Sequence, residues 1–232
     1  MKKTILLIAV LLFTLTGFSQ TIIMQDASPM EPYEVKTNGP NLKNYGHWFI
    51  GFGAVMPVGA QSDNTIFGKS LLFELGYRYR YRVSNFFNTG FDVSYYIQGN
   101  RLNHSGMEKV YDGMVHDRAN IVQNELRFSP FLRFNLTPKR GNYLGTYIDL
   151  GGYIAWNFIP VFRAVDNRSS YNEELKYTRQ YDPMQKRNEY GLTGRIGRNK
   201  LIVFAHYRIS DLLKNSDLPD LPRLAVGIQF GL

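Results

Sequence analysis

The sequence predicts an all-β chain: an eight-stranded antiparallel up-and-down transmembrane β-barrel, preceded by an export signal. Three observations carry this. Apolar and polar residues alternate with a period of two through eight separate segments. The connections between those segments are short and long in strict alternation, the asymmetry of barrels with short periplasmic turns and long extracellular loops. Arginines and carboxylates recur mid-segment on the polar faces, where the core of a soluble sandwich has no place for so many charges.

The N-terminus comes first in chain order. Met1-Lys2-Lys3 is a short positive region, Ile5 to Leu15 is almost unbroken apolar, and Gly17 and Ser19 place small residues before a cut at Gln20. This reads as a secretory signal peptide over residues 1–19. Its apolar run is too short to span a bilayer, and no cysteine follows it to carry a lipid anchor. Residues 20–46 lack alternation and hold Pro29, Pro32, Gly39 and Pro40, so an irregular periplasmic lead-in is expected before a barrel over 47–232.

Eight strands follow. From His47 to Met56, Trp48, Ile50, Phe52, Ala54 and Met56 oppose Phe49, Gly51, Gly53 and Val55. Ser70 to Ser84 is the clearest case: Phe73, Leu75, Tyr77, Tyr79, Tyr81 and Val83 lie on one face, and Glu74, Gly76, Arg78, Arg80 and Arg82 on the other. Helical spacing would scatter those arginines; a period of two gathers them. Phe87 to Gln98 sets Phe91, Val93, Tyr95 and Ile97 against Asp92, Ser94 and Gln98, and Val122 to Leu136 sets Leu126, Phe128, Leu132 and Phe134 against Glu125, Arg127 and Arg133. Tyr147 to Phe158 opposes Ile148, Leu150, Ile154 and Trp156 to Asp149 and Tyr153. Glu189 to Gly197 opposes Tyr190, Leu192 and Ile196 to Glu189, Thr193 and Arg195. Leu201 to Ile209 places His206 and Arg208 on its polar side, and the last strand, Leu224 to Leu232, has Arg223 and Gln229 on its own. The short links are Ser84-Asn85, Pro138 to Asn142 and Gly197 to Lys200; the long ones are 57–69, 99–121, 160–187 and 210–222.

Composition narrows the function classes. Past Ser19 no stretch approaches the ~20 apolar residues of a spanning helix, which excludes an inner-membrane helical protein. There is no cysteine, hence no disulfide framework and no thiol chemistry. Lys and Arg number 27 against 19 Asp and Glu; without Lys2 and Lys3 the count is 25 against 19, about +6. For an exported chain the natural counter-charge is anionic outer-membrane lipid or lipopolysaccharide, and nucleic acid is not expected as a partner.

Few residue sets suggest chemistry. His47, His104, His116 and His206 show no metal-ligand spacing, and no metal or cofactor is expected. His104, Ser105, Asp112, His116 and Asp117 share the second long loop and hold the residue types of a barrel enzyme, but without a nucleophile elbow or a phosphate loop. A solvated surface is the plainer reading, and a non-enzymatic chain is expected. The sharper set is the inward charges: Glu74, Arg78, Arg80, Arg82, Asp92, Glu125, Arg127, Arg133, Asp149, Arg195, Arg208 and Arg223. An eight-stranded lumen is only wide enough for side chains to fill, and arginine's planar fork pairs bidentately with carboxylates. A packed, salt-bridged plug is expected over a narrow ion path. The third long loop carries Arg163, Arg168, Tyr171, Tyr177, Arg179 and Tyr181, residue types enriched at interfaces. It is a candidate partner surface, or else two strands running on above the membrane as a hairpin whose edge recruits a partner strand.

Together the signal, the strand rhythm, the loop asymmetry and the alternating last strand resemble the small OmpA/OmpX-type barrels. The resemblance covers roughly Trp48 to Leu232 and is one of pattern. The signal's ending, Gly17-Phe18-Ser19-Gln20, is similar to those of exported Bacteroidetes proteins, whose outer-membrane barrels include PorT-like members. The resemblance implies a Gram-negative outer membrane and a structural or interaction role, such as a subunit of an envelope or secretion assembly. The alternatives it leaves are a porin-like path for ions or small solutes and a lipid- or peptide-modifying barrel enzyme.

Overall fold

Period-two alternation becomes strand geometry in all eight expected segments. The computed structural model describes residues 39–57, 65–102, 116–139, 144–168, 173–214 and 221–232. Its strands are β1 (Asn44–Met56), β2 (Leu71–Arg82), β3 (Phe87–Arg101), β4 (Arg118–Asn135), β5 (Thr146–Asn157), β6 (Val161–Arg168), β7 (Glu173–Gln180), β8 (Asn188–Arg198), β9 (Leu201–Arg208) and β10 (Leu224–Gly231). All but β6 and β7 form the barrel. Each of the eight pairs antiparallel with the next, and β10 returns to β1, so the sheet closes with up-and-down connectivity.

The register fixes the geometry of closure. Cross-strand partners lead from Asn44 to Tyr81, Thr89, Leu132, Leu150, Gly194, Ala205 and Val226, and return to β1 at Ala54, ten residues from the start. With a rise of ~3.3 Å per residue and strands ~4.8 Å apart, that stagger tilts the strands about 40° from the barrel axis. Along each strand one set of side chains points in and the other out. Glu74, Arg78 and Arg80 are buried, while Leu75 and Tyr77 between them and Tyr81 just beyond are exposed. The polarity of an ordinary core is inverted.

Two features extend the eight-strand pattern, the first of them the hairpin expected as one reading of the third long loop. β4 pairs with β5 over Glu125–Asn135, then with β6 over Arg118–Val122, so the sheet continues past the barrel on the loop side. There β6 turns back as β7, and the third long loop is a standing hairpin. The loop-side ends are also not simply solvated. Leu102, Ala119, Ile121, Phe162, Ala164, Leu212, Leu213 and Leu221 bury one another in an apolar cap, with Met184 packed against it. β4 accordingly begins at Arg118, ahead of the expected Val122, and β3 runs on to Arg101. β1 starts at Asn44, inside the segment expected to be irregular. The expected signal peptide, most of the lead-in, His104, Ser105, Asp112 and Tyr171 lie outside the described residues, and of Arg168 only the backbone is described.

Glycine packing inside the barrel yields a first prediction. A Cβ at Gly76 would meet Phe49 and Ser94 at 2.6 Å, whereas one at Gly194, on the outer face, meets nothing within 4 Å. Gly76→Ala is expected to cost about 1–3 kcal/mol through overpacking, and Gly194→Ala to be neutral or mildly stabilising. Equal urea midpoints for the two variants would contradict this facing.

Candidate functional site

The lumen is where the sequence concentrates charge, and the strands bring most of it together. In the half nearer the short turns, Arg133 on β4 donates through Nε and Nη2 to both oxygens of Asp149 on β5, at 2.6 and 2.8 Å. Its guanidinium lies 3.7 Å from the centre of the Tyr147 ring. Arg78 on β2 grips Asp92 on β3 in the same bidentate way, at 2.8 and 2.9 Å, and its Nη2 also donates to Gln229 at 3.0 Å. Arg195 lies between the two carboxylates, with Nη2 2.7 Å from Asp92 and Nη1 3.9 Å from Asp149. The result is an alternating chain of charge: Arg78, Asp92, Arg195, Asp149, Arg133. The ring of Phe131 lies within 5.7 Å of all three guanidinium carbons and gives them a common apolar floor.

Further along the axis Glu74 accepts hydrogen bonds from Ser94 at 2.8 Å and from Gln229 at 2.6 Å, with His206 Nε2 3.8 Å away. His206 is walled by the rings of Phe204, Tyr96 and Tyr153. Nearer the loops, Arg127 Nε donates to Glu125 at 2.6 Å, and its guanidinium lies 3.2 Å from the Tyr96 ring centre and 4.4 Å from that of Tyr153. Gln123 donates to both Glu125 and Glu189. A line of amides from Tyr96 through Gln98 and Asn100 ends on Gln123. Arg208 closes the loop end by donating to the carbonyls of Ser210 and Leu221, both at 2.9 Å. Beside Tyr96, Arg127 and Arg208 the remaining space is about 10 Å³, room for roughly one water. The charges of these clusters persist in the interior because each has a designated partner; an unpaired one would cost several kcal/mol.

Of the twelve lumenal residues singled out in the sequence, Glu74, Arg78, Arg80, Asp92, Glu125, Arg127, Arg133, Asp149, Arg195 and Arg208 are buried inside. Arg82 and Arg223 are only half-buried, at opposite ends of the barrel. Arg223 donates to Asp211 at 2.6 Å and to the Ile209 carbonyl at 3.0 Å. The uncharged half of the network, Gln98, Asn100, Gln123 and Gln229 with Tyr96, Tyr147 and Tyr153, was not singled out. Its signal was parity alone: each lies on the inward face.

No known protein family matches the chain, and no curated protein matches it.

The loop-side candidates do not form one patch. Tyr177 and Arg179 pair with Ala164 and Phe162, and so share the capped face of the hairpin; Arg163 lies on the opposite face. Arg179 lies 5.4 Å over the Phe162 ring and 3.2 Å from Asp182, and Tyr181 is exposed at a positive φ of 56°. In the second loop His116 Nδ1 is 3.0 Å from Asp166 on β6, and the Asp117 amide donates to the same carboxylate at 3.2 Å. That contact ties the second loop to the hairpin.

Proposed function

We propose that this chain is an outer-membrane β-barrel of the OmpA/OmpX type in a Gram-negative bacterium. It is non-enzymatic, its lumen is a closed ion-paired plug, and its role is structural or interaction-mediating through the loop-side hairpin. The observation that carries this reading is the inverted polarity. Arg78, Asp92 and Glu125 are each 0% exposed, whereas Trp48, Ile154 and Ile196 on the outside are 57%, 62% and 59% exposed. An apolar patch of that extent is not left to water; a hydrocarbon layer covers it, with aromatic residues such as Trp48, Tyr81 and Phe86 toward one edge and Trp156, Tyr95 and Tyr207 toward the other. Lipid and lipopolysaccharide are then the belt's partners. The standing hairpin, with Leu175, Tyr177 and Tyr181 exposed, offers an envelope or secretion component an edge strand and an aromatic face.

Cell fractionation tests this. The protein is expected in the outer-membrane fraction, and an unboiled sample should migrate as a compact species that shifts on heating. Trypsin added to intact cells should cut only on the loop side, at sites such as Lys176, and leave Lys139 and Arg198 intact. Recovery in the soluble fraction, or cleavage at the short turns of intact cells, would overturn the location or the orientation respectively.

A further inference from the structure

Four inward arginines occupy the turn-side half of the lumen, Arg78 and Arg80 on β2, Arg133 on β4 and Arg195 on β8, and two of them are used alike. Arg78 and Arg133 each present the edge formed by Nε and Nη2 to both oxygens of a carboxylate. Arg80 is 1% exposed, and its Nε and Nη2 have no hydrogen-bond partner. The same edge that its neighbours spend on Asp92 and Asp149 is free.

Among the described residues no carboxylate pairs with Arg80. Across the sheet it faces Tyr45 on β1 and Gly90 on β3. Its guanidinium lies 5.8 Å from the Tyr45 ring centre, and that ring stacks at 5.2 Å on His47, whose Nδ1 is likewise without a partner. In this half the four guanidinium groups of Arg78, Arg80, Arg133 and Arg195 stand against two carboxylates, Asp92 and Asp149, which pair with all but Arg80. The loop-side half has the opposite balance, with Glu74, Glu125 and Glu189 against Arg127 and Arg208.

The rim repeats this asymmetry. Lys43, Arg82, Lys139, Arg198 and Lys200 ring the turn side, and the described turn segments contain no Asp or Glu. The exposed ion pairs, Lys176 with Glu174, Lys186 with Asp211 and Arg223 with Asp211, all lie at the other end. A mouth lined by one sign of charge concentrates counter-ions and draws them inward.

We propose that the turn-side mouth of the lumen is an oxyanion-binding site. The free Nε–Nη2 edge of Arg80 takes a carboxylate or phosphate group bidentately, His47 supplies a further donor, and the rim cations steer the ligand in. The anion completes the series that Asp92 and Asp149 begin. The site needs only the folded barrel and does not depend on which membrane holds it.

The test is thermal unfolding of the full chain refolded in zwitterionic micelles, with sodium phosphate or sodium acetate titrated against sodium chloride at fixed ionic strength. A saturable rise in melting temperature is expected. At ten times the dissociation constant, the folded-to-unfolded ratio increases about elevenfold. Arg80→Gln should abolish the rise. Arg80→Lys, which keeps the charge and loses the fork, should leave a weaker one and reports on the site even if the Gln variant folds poorly. Arg163→Gln, at the far end, should respond as the unmodified chain does. A response to phosphate alone assigns a phosphate-bearing ligand, and a response to acetate as well assigns a carboxylate-tolerant one. No response in the unmodified chain, or the same response in every variant, meaning an adventitious ion only, would overturn the proposal.

Discussion

Arg127→Ala is expected to destabilise the barrel by about 3–5 kcal/mol, the cost of breaking a buried pair from one side. The substitution removes more than one contact. Glu125 loses its 2.6 Å partner, and the rings of Tyr96 and Tyr153 lose the guanidinium lying over them. Glu125 and Glu189, both held by Gln123, are left as neighbouring carboxylates without the cation beside them. Replacing both members, as in Arg127→Met with Glu125→Gln, should recover much of the loss, because a neutral pair of similar volume avoids the cost of burying two charges. Urea unfolding followed by gel migration measures the stabilities, and single-channel recording measures the plug. The unmodified protein should be silent and Arg127→Ala leaky. Steady, large conductance from the unmodified chain, unaltered by the substitution, would sink the plug and promote the pore.

Charge placed on the outer face gives the second large effect. If the outer face meets lipid, as proposed, Leu75→Arg sets a cation in hydrocarbon from the middle of β2, beside Ile50 and Tyr95 on its neighbours, and is expected to cost about 2–4 kcal/mol. The contrast is Thr193→Val on the inner face. Thr193 is buried and its hydroxyl has no hydrogen-bond partner, so a side chain of the same shape without the hydroxyl should change stability by under about 1 kcal/mol. In a water-soluble barrel the difference would vanish, because the exposed arginine would be as harmless as the valine. Loss of heat-resistant migration in Leu75→Arg but not in Thr193→Val therefore reports on the solvent outside the belt. Equal behaviour would mean that the belt does not meet hydrocarbon.

The barrel was legible in the sequence wherever one face is wet or charged and the other apolar. Phe73 to Arg82 alternates so regularly that parity alone orients every side chain, and one correct parity per strand orients the whole lumen. Above the barrel legibility was partial: the hairpin of the third long loop was one of two readings, and its packing was not foreseen. In Val161–Arg168 the consecutive Val161 and Phe162 are both buried, because the strand packs on both sides, and a period of two vanishes when both faces are covered. The cap residues Leu212, Leu213 and Leu221 are scattered through a polar loop and meet Leu102 and Ile121 only in three dimensions. The charged half of the lumenal network was visible because Arg and carboxylate are conspicuous inside a strand. The amide line through Gln98, Asn100 and Gln123 was not, since such residues are ordinary on any polar face. Which carboxylate each arginine grips is a property of register, and only the ladders reveal it.

The pairing of β1 with β10 has a kinetic consequence. Phe49 and Gly231 are partners from opposite ends of the chain, so this ladder closes the longest loop in the molecule and carries its largest entropic penalty. Until it forms, the sheet has two raw edges, and the lumenal charges, which draw partners from strands on both sides of the seam, are incompletely matched. Gln229 on β10, for instance, must reach both Arg78 and Glu74 on β2. Zipping this seam is therefore expected to come late in assembly, and its opening to come early in unfolding.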